Sequence, residues 1–327
     1  LPSKNGEAVL YIVDIATGQL LQKNNAVLGK IGTGKTARDD PSGEARPNGL
    51  ATAAPVDVNG DYVVDYVYAG DYHGRVYRFD LTAFPDSAPM QVIYEPDPND
   101  APQPITSRPQ VVRHPEKGGL IVLFGTGSFF RADDGDPERQ AKTQAFYGIW
   151  DDLTSNQATT RDDLVAQRIV AERTTGGGAC PDDDTTGCYR ITTDNAVDWD
   201  TKRGWYLNLI VDGATSHAGE RQVSDAVVRG ARVIFSTLIP NPDACGFGGG
   251  GWLMELDAAT GGIPGNRDEY TFDLNGDGLF TLDDLIAIAK DDQGQDVFDA
   301  PTGRRSQVGI VPTPAIVSRP GGRRQGK

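Results

Sequence analysis

Apolar residues along this chain come in short runs cut by Gly, Asp and Pro. Their spacing follows the two-residue period of half-buried strands rather than the 3.6-residue period of a helix. "YVVDYVYAG", "GLIVLFGTG" and "GARVIFSTL" are typical. A closing-strand pattern, aromatic and aliphatic residues ending in an acid or its amide, recurs as "LYIVDIATG" at Asp14, "VYRFDL" at Asp80, "FYGIWDD" at Asp151, "WYLNL" at Asn208 and "WLMELDAATG" at Asp257. The intervals are 66, 71, 57 and 49 residues, too irregular for a tight solenoid but suited to sheets of about four strands with unequal loop insertions. A second pattern, a small residue and often Pro before aliphatic residues, reads as the inner strand entering each sheet: Thr52–Val58, Thr106–Val112, Val223–Arg229 and Val311–Val317. The pattern predicts an all-β fold, a modified β-propeller of about six to seven irregular blades, because radial repetition of small sheets leaves only short protected edges. A large β-sandwich is the rival architecture. Only "SRPGGRRQGK" follows the last inner strand, so that blade needs strands from the N-terminus to complete it. One helix is predicted, over "LDDLIAIAKDD", with Leu285, Ile286, Ile288 and Ala289 apolar behind Asp283 and Asp284.

Composition narrows the picture. The chain has 327 residues, 40 of them Gly and 21 Pro, which matches a loop-rich single domain spanning residues 1–327. Unbroken apolar runs reach five residues, as in Leu120–Phe124, against the ~20 a membrane helix needs. The start "LPSKNGEAVL" carries no signal region, so the chain is expected to be processed or cut from something longer. Forty-six acidic against 31 basic residues give a formal charge of −15, a surface that repels nucleic-acid backbones and favours cations. Cys180 and Cys188 bracket "CPDDDTTGC" and are expected to close a short-loop disulfide in an oxidising compartment. Cys245 is left over, free or paired with a cysteine outside this chain.

The strongest motif is "DLNGDGLFTLDD", Asp273 to Asp284, which fits a twelve-position calcium loop. Asp273, Asn275 and Asp277 stand at positions 1, 3 and 5, Gly278 at 6, the Leu279 carbonyl at 7, Thr281 at 9 and Asp284 at 12. Calcium takes six to eight hard oxygens, and alternate side chains plus one carbonyl supply them. Asp rather than Glu at position 12 is typical of modules resembling dockerin repeats, so the loop and its helix are read as an insertion at about 272–292 holding a single ion. A second loop, "DVNGDYVVD", places Asp57, Asn59, Asp61 and Asp65 at positions 1, 3, 5 and 9, with the Val63 carbonyl at 7. It lacks Gly at position 6 and an acid at 12, and is expected to lie between two strands with water completing the shell around Ca2+. The clusters Asp133–Glu138 and Asp182–Asp184 lack alternate spacing and read as solvated acids. "GKIGTGKT", Gly29 to Thr36, matches the phosphate-loop pattern, but "ARDDPSGEARPNG" after it cannot sustain the helix that motif requires. His73, His114 and His217 have no metal spacing, and no Ser or Cys sits in a nucleophile elbow.

The segments "APVDVNGDYVVDYVYAGDYHGRVYRFDL" and "GERQVSDAVVRGARVIFSTLIPNPDACGFGGGGWLMELDAATGG", with "GTGSFFRADD" and "TQAFYGIWDD", resemble the C-terminal domain of the PilC/PilY-type family of type IV pilus biogenesis factors and tip-associated adhesins. The resemblance implies a modified β-propeller that is not an enzyme. It implies calcium held by Asp57, Asn59, Asp61, Val63 and Asp65, with occupancy linked to pilus extension and retraction, twitching motility and surface attachment. The implied partners are minor pilins of the pilus tip complex and receptors on host-cell or abiotic surfaces, and the implied place is the bacterial cell surface. The loop Asp273–Asp284 is not a general feature of the family, and no Arg-Gly-Asp tripeptide is present. Two competing readings remain at this stage. "LYIVDIATGQLL" and "LDAATGG" also look like strands of quinone-binding dehydrogenase propellers, against which stands the absence of a Cys-Cys pair. The other is a calcium-stabilised extracellular module unrelated to pili.

Overall fold

A computed structural model describes residues 6–23, 26–99, 102–131, 134, 142–181, 187–214, 218–241, 249–265 and 271–316. Four short strands open the chain, β1 (Val9–Tyr11), β2 (Gln22–Lys23), β3 (Ala26–Val27) and β4 (Lys30–Gly32), with β1 paired to β4 and β2 to β3. A four-stranded antiparallel meander follows: β5 (Ala54–Val56), β6 (Tyr66–Gly70), β7 (Val76–Asp80) and β8 (Met90–Tyr94). Next come β9 (Gln110–Arg113), β10 (Leu120–Gly125), β11 (Ala145–Asp151), β12 (Val165–Thr174), β13 (Cys188–Thr192) and β14 (Gly204–Val211). The chain continues through β15 (Val227–Arg229), β16 (Arg232–Ser236), β17 (Trp252–Asp257), the hairpin β18 (Ile286–Lys290) and β19 (Asp296–Asp299), and β20 (Gly303–Arg305).

The architecture is all-β, and its propeller is modified by fusion. The strands described form five sheets, of which β5–β8 stands alone as a four-stranded blade. Ten others share one ladder in the order β15-β16-β17-β20-β13-β12-β14-β11-β10-β9. Within it, β9-β10-β11-β14 and β15-β16-β17-β20 are four-stranded antiparallel groups. They are joined by β12 and β13, with β12 running parallel to β14. The two outermost strands, β9 and β15, touch, and just before them the Arg108 amide donates to Asp225 at 2.9 Å. The ladder therefore curls almost into a ring.

Alternation within the central strands explains the stacking. Every residue of β10 is buried, because Ile121 and Leu123 enter one core with Phe146, Trp205 and Phe235 while Val122 and Phe124 enter a second with Tyr68, Tyr94 and Tyr147. A strand buried on both faces reads as a continuous apolar run, which accounts for Leu120–Phe124. β6 behaves likewise: Tyr68 faces the second core, whereas Val67 and Ala69 join a third with Leu10, Tyr77 and Phe79. A buried network ties the lone blade to the ladder. Asp151 on β11 accepts from Arg78 at 2.6 Å and from the Tyr68 hydroxyl at 2.8 Å. Trp205 and Trp252 are core residues, as their places on closing strands suggest.

Cys180 and Cys188 form the expected disulfide, with Cα atoms 5.6 Å apart. Cys245, His217 and the Asp182–Asp184 cluster lie outside the described residues. The phosphate-loop lookalike runs from β4 into a three-residue 3-10 turn, Ala37–Asp39, capped by Thr36.

Three expectations need correction. The predicted helix after the second acidic loop is a single 3-10 turn, Leu282–Asp284, followed by strand β18. Ile286 is fully buried, Ile288 packs against the same cluster of Ala171, Tyr189 and Ile191, and this two-residue spacing puts both on one strand face. The expected inner strand Val311–Val317 shows no strand over residues 311–316, where Pro312 and Pro314 remove two ladder donors; Val317 lies outside the described residues. The final blade is completed by β20, not by N-terminal strands. β20 enters between β13 and β17 at Gly303, where a Cβ would collide with the Met254 sulfur.

Candidate metal loops

The loop Asp57–Asp65 spans the turn from β5 to β6, between two strands as expected. Its side chains fold back on their own backbone. Asp57 accepts from the amides of Gly60 (2.6 Å) and Tyr62 (2.8 Å), Asn59 from that of Asp61 (2.8 Å), and Asp61 from that of Val63 (2.8 Å). The Gly60 amide, followed by those of Tyr62, Asp61 and Asn59, holds the Asp57 carboxyl below its ordinary value and outweighs the opposing effect of desolvation. Asp65 closes the loop by accepting from the Val58 amide at 2.7 Å. Arg113 of β9 reaches over to the Val58 carbonyl, so the loop rests against the neighbouring blade.

The loop Asp273–Asp284 repeats this arrangement position by position. Asp273 accepts from Gly276 (2.7 Å) and Gly278 (2.9 Å), Asn275 from Asp277 (2.9 Å), and Asp277 from Leu279 (2.7 Å). The left-handed residues also coincide: Gly60 and Gly276 have φ of 81° and 77°, and Tyr62 and Gly278 have φ of 70° and 80°. Tyr62 thus adopts the backbone that glycine adopts at position 6 of the other loop. Closure falls to Asp284, which is fully buried and accepts from the amides of Leu274 (2.7 Å) and Thr281 (2.8 Å). Asp65 and Asp284 both grip the amide of position 2, so the acid at position 9 of the first loop does the work of position 12 in the second. The Thr281 hydroxyl accepts from the Asp283 amide and caps the 3-10 turn.

The donor set fits a hard cation. Each loop offers carboxylate, amide and carbonyl oxygens, and the carbonyls of Val63 and Leu279 accept no backbone bond among the described residues. Among the described residues no three of Asp, Glu, His and Cys converge as a finished metal cage; the carboxylates are engaged with amides. Of the other expected acids, Asp134 is buried rather than solvated, accepting from Ser128, Phe130 and Arg131. Its partners are the Ser128 hydroxyl and the backbone amides of Phe130 and Arg131, an arrangement that no alternate acidic spacing signals. His73 and His114 are buried apart from both loops, His114 against Trp150 and Trp199. Sequence reasoning also missed Arg113, whose contact with the first loop depends on the packing of two blades.

Comparison with known proteins places the chain as a whole. The sequence model of the PilY1 beta-propeller domain matches residues 1–176, a span that contains the first acidic loop and ends before the second. Type IV pilus biogenesis factor PilY1 of Pseudomonas aeruginosa is 33% identical over 312 residues, covering 85% of this chain and 25% of that protein. A PilY1 homolog of Xylella fastidiosa is 36% identical over 272 residues, covering 80% and 17%. The chain thus spans about a quarter or less of the length of these relatives. The crystal structure of the Pseudomonas aeruginosa PilY1 C-terminal domain superposes with a TM-score of 0.71 at 29% identity, over 93% of this chain and 61% of that one. No helix among the described residues is long and apolar enough to cross a membrane. By fold, by the span of the sequence match and by the similarity of its relatives, this chain belongs to the PilY1 beta-propeller domain family.

Proposed function

We propose that this chain is a calcium-binding, non-enzymatic domain of a type IV pilus biogenesis factor, acting at the cell surface in pilus assembly, twitching motility and attachment. Family membership supports the pilus role. The observation that carries the calcium reading is the duplicated carboxylate-to-amide geometry of the two loops. In the first loop Asp57, Asn59, Asp61, Asp65 and the Val63 carbonyl would hold the ion. In the second, Asp273, Asn275, Asp277, Thr281, Asp284 and the Leu279 carbonyl would. Bound calcium supplies positive charge that neutralises carboxylates crowded within one short loop.

The protein's own part is to offer a loop already turned inward and seated on its blade. Where the first loop is ordered, Arg113 links it to β9; where it is loose, that link between two blades is lost. A cation that binds the ordered state alone stabilises it in proportion to RT ln(1 + [Ca]/Kd), so calcium outside the cell becomes a control on the rim that meets minor pilins or a host or abiotic surface.

Calorimetric titration of the metal-stripped protein with calcium tests this directly, alongside Asp57→Ala and Asp273→Ala. Two sites are expected, each variant losing one. An absence of binding at millimolar calcium overturns the metal reading. In cells, Asp61→Ala or Asp277→Ala in a folded protein is expected to impair piliation or twitching, and unchanged behaviour of both overturns the regulatory role.

A further inference from the structure

A cleft of about 500 Å³ opens beside the lone blade, lined by Pro47, Leu50, Tyr72, Ile105, Phe130 and Arg131 among others. Its size is that of an ordinary ligand site. The turn that presents Tyr72 is rigid: the adjoining Asp71 is fully buried and accepts from the Asn48 amide group, the Tyr77 hydroxyl and the amides of His73 and Arg75. Two guanidinium groups lie over the Tyr72 ring, Arg46 at 5.7 Å and Arg131 at 5.4 Å. They are not equivalent. Arg46 is committed to Asp40 at 2.7 and 2.9 Å, whereas the Arg131 side chain is exposed and no carboxylate pairs with its guanidinium among the described residues, Asp134 holding only its backbone amide. Beside it Phe130 is 76% exposed. On a chain of charge −15, an exposed arginine whose guanidinium has no carboxylate partner among the described residues, next to an exposed aromatic ring, is locally complementary to an acidic, partly apolar ligand.

The backbone narrows the ligand further. Leu50 forms an isolated antiparallel bridge with Asp71, made by Ala51 N–H to the Gly70 carbonyl and Tyr72 N–H to the Gly49 carbonyl. In that pairing the N–H and C=O of Leu50 itself point to the opposite side, and neither has a partner among the described residues. A donor and an acceptor at strand spacing are complementary to another extended backbone. We propose that this cleft binds an extended peptide segment in which a carboxylate and an aromatic side chain stand two residues apart. Residues i and i+2 of an extended chain share a face at about 7 Å separation, so one backbone docked on Leu50 can present its acid to Arg131 and its ring to Phe130. A sugar acid or a small carboxylate matches Arg131 but leaves the Leu50 pair unused.

The cleft shares no residue with either acidic loop, so peptide binding and calcium binding can fail separately. The probe is acetyl-Val-Glu-Val-Phe-Val-amide, together with the peptide in which Glu and Phe exchange places, titrated calorimetrically into the full chain. One of the two is expected to bind. Affinity is expected to fall about tenfold or more in Arg131→Ala and with Gln replacing the peptide's Glu, as for loss of a charge-assisted hydrogen bond. Phe130→Ala and N-methylation of the central peptide amides are expected to weaken binding as well. Both substituted side chains are exposed, and near-ultraviolet circular dichroism checks that the fold persists. No binding of either peptide at millimolar concentration overturns the proposal, as does equal affinity for the parent chain and Arg131→Ala. Binding untouched by N-methylation but displaced by glucuronate also overturns it, in favour of a carboxylate site without a peptide backbone.

Discussion

The loops 57–65 and 273–284 fold alike for seven positions and then part. In the first, the closing acid Asp65 is half-buried, and the loop runs straight into β6 of a regular blade. In the second, the chain makes one more turn before Asp284 enters the interior, and Phe272, Leu274 and Ile288 pack on the cluster of Tyr189, Ile191 and Ile286. The Phe272 and Tyr189 rings meet edge to face at 6.0 Å. The first loop joins two strands of a regular blade, whereas the second leads into the hairpin β18–β19, which pairs with no other strand among the described residues. The same acidic spacing thus serves a strand-to-strand connection within a blade in one place and the base of a separate hairpin in the other.

The largest effect that could break this contrast is on closure. Asp284→Ala removes a fully buried carboxylate from two amides and is expected to cost about 3 kcal/mol, against about 1 kcal/mol for Asp65→Ala, whose carboxylate is only half-buried. Equal costs in denaturant unfolding of the metal-free chains would mean that burial of the closing acid does not distinguish the loops. A smaller effect sharpens the contrast at position 6. Gly278→Ala is expected to cost about 1 kcal/mol through its positive φ alone, since a Cβ there meets nothing. Tyr62→Gly is expected to stabilise by about 0.5 kcal/mol, the relief of left-handed backbone less the added freedom of the unfolded chain; a loss of stability would show that the exposed Tyr62 ring has a contact in solution.

The gentlest probe is acid. The Asp57 carboxyl lies below its ordinary 3.8 in the fold, so the unfolded chain binds more protons there and stability rises with pH across that interval. The contribution is complete about one pH unit above the unfolded value of 3.8 and disappears as pH falls through the folded value. Carbon-detected titration of the metal-free protein should place the Asp57 midpoint under 3.8, and a midpoint at or above it would mean that the Gly60 and Tyr62 amides do not hold the carboxylate in solution.

Much of this was legible in the sequence because the information is local. The Asp-x-Asn-Gly-Asp spacing of both loops dictates side-chain-to-amide turns without outside help, and the closing strands β7, β11 and β17 announce themselves by alternation ending at Asp80, Asp151 and Asp257, whereas β14 runs on past Asn208 to Val211. What escaped depends on distant partners. "LIAIA" satisfies both helical and strand periods over so few residues, and burial of Ile286 against Tyr189 and Ile191 selects the strand. The role of Asp65 was obscured by counting to twelve, although the amide of position 2 is the partner in both loops. The fusion of blades rests on the parallel pairing of β12 with β14, which no local pattern encodes. The peptide-sized cleft needs Tyr72 and Arg131, far apart in the chain, to meet over one ring.

The place of β20 bears on when the ten-stranded ladder can close. Gly303–Arg305 is the sole link between β17 and β13 in the ladder. Until those residues arrive, the ladder consists of a three-stranded piece and a six-stranded piece with raw edges on each. Both edges are therefore open from the completion of β17 at Asp257 until β20 arrives at Gly303, exposed over that interval to mispairing with other chains. Completion of the ladder waits on Gly303–Arg305, so the last of the described strands sets when two otherwise separate pieces become one sheet.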